Sequence, residues 1–183
     1  MKLEVFTEFD QKVPFEDYFD HVVTFARQTV LQEGAHATVL IVNEGARTAV
    51  YDVGSFFEQG DIGRKALNGA LSDRYQGEAN WFIQTAEAWL GRLKPHPTRP
   101  GEGLRPSENP DRIEVLMIAG VSRDGARREQ MYEMVRDEAG SIVETKLVQD
   151  LSKFLSILEP PLFGGATTEL EGARLVVEGE EDS

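Results

Sequence analysis

The stretch "RIEVLMIAGVSRDGARREQMYEMVRDEAGSIVETKLV", Arg112 to Val148, decides the fold. It holds three strand-like segments, "RIEVLMIAGVS", "RREQMYEMVRD" and "SIVETKLV", separated only by "SRDGA" and "DEAG". Connections this short cannot carry the crossover that parallel neighbours need, so the strands are expected to run antiparallel. Asp124-Gly125 suits the tip of a hairpin. The second and third segments mix apolar and polar residues, as strands with one wet face do.

Working outward, "HATVLIVN" and "RTAVYDV" form another strand pair, joined by "NEGA", where Asn43 and Gly45 tolerate positive φ. "ANWFIQTAEAWL" is read as a strand because Trp81, Phe82 and Ile83 favour extended backbone, although its second half would also suit a helix. From Pro14 to Gly34, Phe15, Phe19, Val22, Val23, Ala26 and Val30 recur at helical spacing. A second helix follows from Asp61, with Ile62, Ala66, Leu67, Ala70, Leu71 and Tyr75 on one face. Leu151, Phe154, Leu155 and Leu158 mark a short helix stopped by Pro160 and Pro161. The expectation is an α+β domain over residues 1–163: a mainly antiparallel sheet of about six strands, two main helices and a short C-terminal helix, with helices on one face. Residues 164–183 read as an acidic tail, partly disordered, with six acids against Arg174 from Ala166 onward.

The chain has 183 residues, 40% hydrophobic and 28% charged, which is ordinary for one globular domain. A formal charge of −13 argues against nonspecific binding to nucleic acid or anionic membranes, which is driven by clustered Lys and Arg. There is no cysteine, which excludes disulfides, thiolate catalysis and Cys-based zinc or iron–sulfur sites. "MKLEVFTEFDQKVPF" lacks the apolar core of a leader, and no run approaches the ~18 apolar residues of a membrane span, so a cytoplasmic protein is expected.

Chemistry is sparse. His21, His36 and His96 show no paired spacing, and no metal site or cofactor is expected. The phosphate-cradling "GxxxxGK[ST]", the dinucleotide "GxGxxG" and the hydrolase "GxSxG" are absent. No serine has a neighbouring His or Lys that would activate it.

The connection Gly91–Asp111 stands apart: at 21 residues it exceeds the roughly 12 to 15 usual for an unstructured loop in a compact domain. Arg92, Lys94, Arg99 and Arg105 against Glu102, Glu108 and Asp111 give it +1 within an acidic chain, so it is a candidate contact loop. In "PSENPDRIE", Ser107 and Asn109 can close turns that Pro106 and Pro110 stiffen, and Arg112 and Glu114 leave one face of the next strand. The plain interpretation is a clamp that aims the chain into that strand, with Arg112 tied to an acid such as Glu87 or Glu114. The alternative is a binding cluster in which Arg112 orients an anion and Glu87 or Glu114 acts as base, with His36 in the same cleft. Trp81 and Trp89, as strand aromatics, are expected in the core.

His36 before the first of these strands, "AEAW" (Ala86–Trp89), "PSENPDRIEVL" and "RDEAG" together resemble a group of uncharacterised bacterial and phage proteins of about this size. The likeness spans roughly residues 36–148; "HAT" departs from the "HxPT" form of that group, and the insertion around "HPTRPGEGLR" is peculiar to this chain. The resemblance implies a shared small α+β fold and an accessory role, and it carries over no catalytic residue.

Two functional expectations follow. One is a noncatalytic binding or assembly protein that meets a protein partner, or a second copy of itself, on a surface formed by the sheet edge and the Arg92–Arg112 connection. The other is a small hydrolase or binder of anionic small molecules built on Glu87, Arg112, Glu114 and His36.

Overall fold

The computed structural model describes residues 3–10, 13–90, 98, 110–148 and 162–163. The expected helix at Leu151–Leu158, the tail 164–183, His96 and the candidate loop residues Arg92, Lys94, Arg99 and Arg105 lie outside the described residues.

The elements run β1 (Val5–Asp10), α1 (Phe15–Glu33), β2 (Val39–Glu44), β3 (Arg47–Asp52), α2 (Gly54–Glu58), α3 (Gly60–Tyr75), β4 (Trp81–Leu90), β5 (Ile113–Ser122), β6 (Arg127–Arg136) and β7 (Ile142–Leu147). Among the described residues the strands form one seven-stranded sheet in the order β1-β3-β2-β4-β5-β6-β7, every neighbouring pair antiparallel. The fold is thus α+β on an antiparallel sheet, with one strand more than the expected six. The added strand is β1, whose register against β3 shifts between Val5 and Thr7. Such a bulge breaks the two-residue period by which a strand is recognised in sequence.

The hairpins form where short turns and strand-forming residues coincide. Gly45, Gly125 and Gly140 take positive φ at the three tight turns of β2–β3, β5–β6 and β6–β7. The longest ladder joins β4 and β5, with ten residues of each in register from Trp81↔Ser122 to Leu90↔Ile113. All of Trp81–Leu90 is strand: pairing on both sides, with β2 and β5, outweighs the helical tendency of its second half.

The helices cover both faces of the sheet, not one. α1 lays Phe19, Val22, Val23, Ala26 and Val30 on Ile41, Trp81, Ile83, Leu116, Ile118, Tyr132 and Met134. On the opposite face, Phe56 of α2 and Leu67, Leu71 and Tyr75 of α3 pack with Leu40, Val42, Ala49, Tyr51, Phe82 and Val121, joined by Leu162. Consecutive residues such as Leu40 and Ile41, or Phe82 and Ile83, point to opposite faces and are all buried. Uninterrupted apolar runs of the kind "VLIV" and "WFI" are what a strand covered on both sides requires. α1 ends where Gly34 adopts φ 74° and returns its N–H to the Val30 carbonyl.

Candidate functional site

Because Trp81 and Ile83 face α1, strand alternation sends Thr85, Glu87 and Trp89 to the same face, toward the far end of β4. On β5, Leu116 and Ile118 fix Glu114 to that face in the same way. Glu87 stands opposite Leu116 and Trp89 opposite Glu114, so the two carboxylates are diagonal neighbours across the ladder. His36 enters from the segment that leads into β2.

These residues are linked. The backbone N–H of His36 donates to Oε1 of Glu87 at 2.5 Å, and its Nε2 lies 2.7 Å from Oγ1 of Thr85, which is 1% exposed. Nδ1 of His36 is buried without a hydrogen-bond partner among the described residues. Burial lowers the pKa of the imidazole and keeps it neutral. Burial also raises the Glu87 carboxyl, against the His36 N–H that favours its charge; the Glu114 charge pushes it further up and Arg136 draws it down.

Arg136 is the residue missed in sequence. Its Nε and Nη2 donate to the Glu114 carboxylate at 2.7 and 2.9 Å, and its Nη1 donates to the Gly140 carbonyl at 2.8 Å. Glu114 therefore takes its two-pronged cation from β6, where a partner in Arg112 was expected. Arg112 lays its guanidinium over the Trp89 ring, 4.3 Å from the centroid. Trp81 is buried, as expected, but Trp89 is 43% exposed, because this end of β4 runs past the cover of α1. The signal for Arg136 was its two-residue spacing from Tyr132 and Met134, which share its face; using it requires the β5–β6 register.

So His36, Glu87 and Glu114 come together with Thr85 and Arg136, and Arg112 lies on the same face against Trp89. The Thr85 hydroxyl is sealed in the sheet beneath His36, so the Thr–His pair cannot present a nucleophile to a substrate. Among the described residues no group of three His, Asp or Glu side chains could hold a metal ion. Two open depressions lie elsewhere. One, of about 520 Å³, is bordered by Phe15, Trp81, Ser122, Arg123 and Asp124; the other, of about 270 Å³, lies between β1 and α3. Neither includes His36, Glu87, Arg112 or Glu114. His21 is exposed on α1. No described helix is long and apolar enough to cross a membrane. Comparison with family models, curated proteins and solved structures returns no match.

Proposed function

We propose that the protein is a noncatalytic binding or assembly protein whose contact surface centres on Trp89 and Arg112. The observation that carries this is the indole left 43% exposed at a strand end, with a guanidinium stacked on it. Trp and Arg are enriched among the residues that dominate the binding energy of protein interfaces: the indole offers a large rigid area at small entropic cost, and the guanidinium a planar fork that stacks and donates several hydrogen bonds. The Glu114–Arg136 pair forms a polar rim beside them. Arg92, Lys94, Arg99 and Arg105 follow Trp89 in the chain, a basic composition that suits an acidic partner. The −13 charge still disfavours nucleic acid.

The test is comparative capture from lysate with wild type, Trp89→Ala and Arg112→Ala, each verified as folded by its melting curve. A protein retained by wild type and lost from both variants supports the reading. Identical captured sets, or a robust turnover that Glu87→Gln abolishes, would sink it.

A second reading, an anionic small-molecule site, is favoured by the His36 Nδ1, which has no partner among the described residues and lies beside a carboxyl of raised pKa. A thermal-shift screen of carboxylates and phosphorylated metabolites with Arg112→Ala alongside distinguishes it. A ligand at a hundred times its Kd adds about 2.7 kcal/mol of stability, and this reading requires that the Arg112 change remove the gain.

A further inference from the structure

Among the described residues the sheet ends at β7, and the sequence of that strand is self-complementary. We infer that β7 is a dimerisation edge, pairing antiparallel with β7 of a second copy of this chain about a two-fold axis at Thr145. The surface is independent of Trp89 and Arg112.

Backbone direction comes first. The N–H of Val148 turns inward to the Met131 carbonyl at 2.8 Å. Alternation then directs the N–H and C=O of Glu144 and Lys146 toward β6, and those of Thr145 and Leu147 outward. Among the described residues, the outward carbonyl of Thr145 receives only a long bond, 3.5 Å, from Nη2 of Arg27, while Arg27 Nε holds the Thr145 hydroxyl at 2.9 Å. The outward groups of Leu147 lie on a residue 64% exposed and are open to another strand, whereas Thr145 is 7% exposed beneath Arg27, whose guanidinium a second strand would have to displace from the Thr145 carbonyl.

Side chains select the partner and the register. Val143-Glu144-Thr145-Lys146-Leu147 keeps its character when it is reversed and its charges are exchanged. Paired on itself about Thr145, it sets Glu144 against Lys146 of the second copy, twice, and Val143 against Leu147, twice. Opposite charges directly across a ladder stabilise it, and like charges destabilise it. Sliding the pairing so that Glu144 or Lys146 meets its own equivalent puts like charges together. Within one chain Lys146 and Glu144 already lie 3.3 Å apart, so the paired edge would join four charges of alternating sign.

Burial points the same way. Val143, Leu147 and Val148 are 56%, 64% and 38% exposed, an apolar rim that a second copy would cover. Leu31, one turn beyond Arg27 on α1 and 41% exposed, adds to it. The bulge at Val143 lies at the start of β7 and leaves Glu144 to Leu147 regular. The opposite edge is blunted: β1 has a register shift near its start, and its Glu8 is engaged by Arg47 and Arg74.

The experiment is sedimentation of the whole chain over a concentration series, with Lys146→Glu, Glu144→Lys and the double exchange Glu144→Lys/Lys146→Glu. Wild type is expected to dimerise reversibly. Each single reversal should raise the dimer Kd at least about tenfold, through two like-charge contacts, and the double exchange should restore it. Because the chain has no cysteine, one introduced thiol reports register. Thr145→Cys should give a disulfide-linked dimer, since facing residues lie about 5.5 Å apart, and Val143→Cys should not. A wild type that stays monomeric at every concentration, as it would if β7 accepted a strand of another protein, overturns the inference. So do association that ignores the single reversals, a folded double exchange that remains monomeric, and disulfide cross-linking of the Val143→Cys variant.

Discussion

The His36 backbone N–H and the Glu87 carboxylate meet although 51 positions separate them in sequence, and the bond anchors the chain's approach to β2 on the end of β4. The carboxylate that accepts it is nevertheless harder to ionise than a free glutamate, because burial outweighs the single donor.

That balance has a sign. Glu87 binds its proton more tightly in the folded chain, so its stabilising contribution is full below the ordinary carboxyl pKa, about 4.3, and is lost as pH rises through the folded value. Glu87→Gln keeps an acceptor for His36 and removes the titration. Its stability relative to wild type should rise by roughly 0.5 kcal/mol between pH 4 and pH 7, a small figure because the group is partly solvated. Urea melts at the two pH values measure this. An unchanged or falling difference would contradict the burial argument. His36, whose pKa is depressed, acts in the reverse sense below about pH 6.5, but it is common to both proteins and cancels.

The two charges flanking Glu87 should move it in opposite directions. Arg136→Gln removes an attraction and leaves Glu114 unopposed, so Glu87 should titrate at higher pH. Glu114→Gln should bring it down. Carboxyl carbon shifts followed by NMR read both, and shifts of the same sign would rule out the arrangement.

Tyr51 and Tyr75 share a hydrogen bond of 2.6 Å between their hydroxyls, buried where α3 meets β3. Tyr75→Phe strands the Tyr51 hydroxyl, which is 1% exposed, and should cost about 1 to 3 kcal/mol. With both tyrosines changed to Phe no polar group is stranded, so the double variant should lose much less than the two single losses added together. Denaturant unfolding of the four proteins closes the cycle.

Two glycines of α3 should respond in opposite ways to alanine. A methyl at Gly63 would run into the backbone carbonyl of Phe56, which cannot swing aside, so Gly63→Ala should cost roughly 2 kcal/mol or more. Gly69 has nothing among the described residues within 4 Å of that position, and Gly69→Ala should add about 0.5 to 1 kcal/mol through helix propensity. Melting temperatures that move together would refute this.

Much of the architecture was legible because it depends on local signals. The Phe15–Val30 periodicity, the Asp124-Gly125 turn and the short strand connections need no distant information. Both-sided cover was written in the run Leu40-Ile41-Val42, but a one-faced sheet was the simpler reading of a hairpin fold. β1 escaped because its bulge spoils the alternation. Within the candidate site, the shared face of Arg112 and Glu114 followed from strand period alone. The partners did not: Arg136 reaches Glu114 only in one register of β5 against β6, and register depends on long-range packing. The exposure of Trp89 depends on where α1 stops covering β4, and no property of residues 81–90 reports it.

The ten-residue ladder between β4 and β5 makes the span from Gly91 to Arg112 an engineering opportunity. Twenty backbone positions pinned face to face fix both ends of that span, whatever joins them. The entropic cost of closure grows only logarithmically with length, about 0.6 kcal/mol for each doubling. An epitope, a tag or a whole guest domain with adjacent termini could be carried there, displayed next to Trp89 at the rim of the sheet.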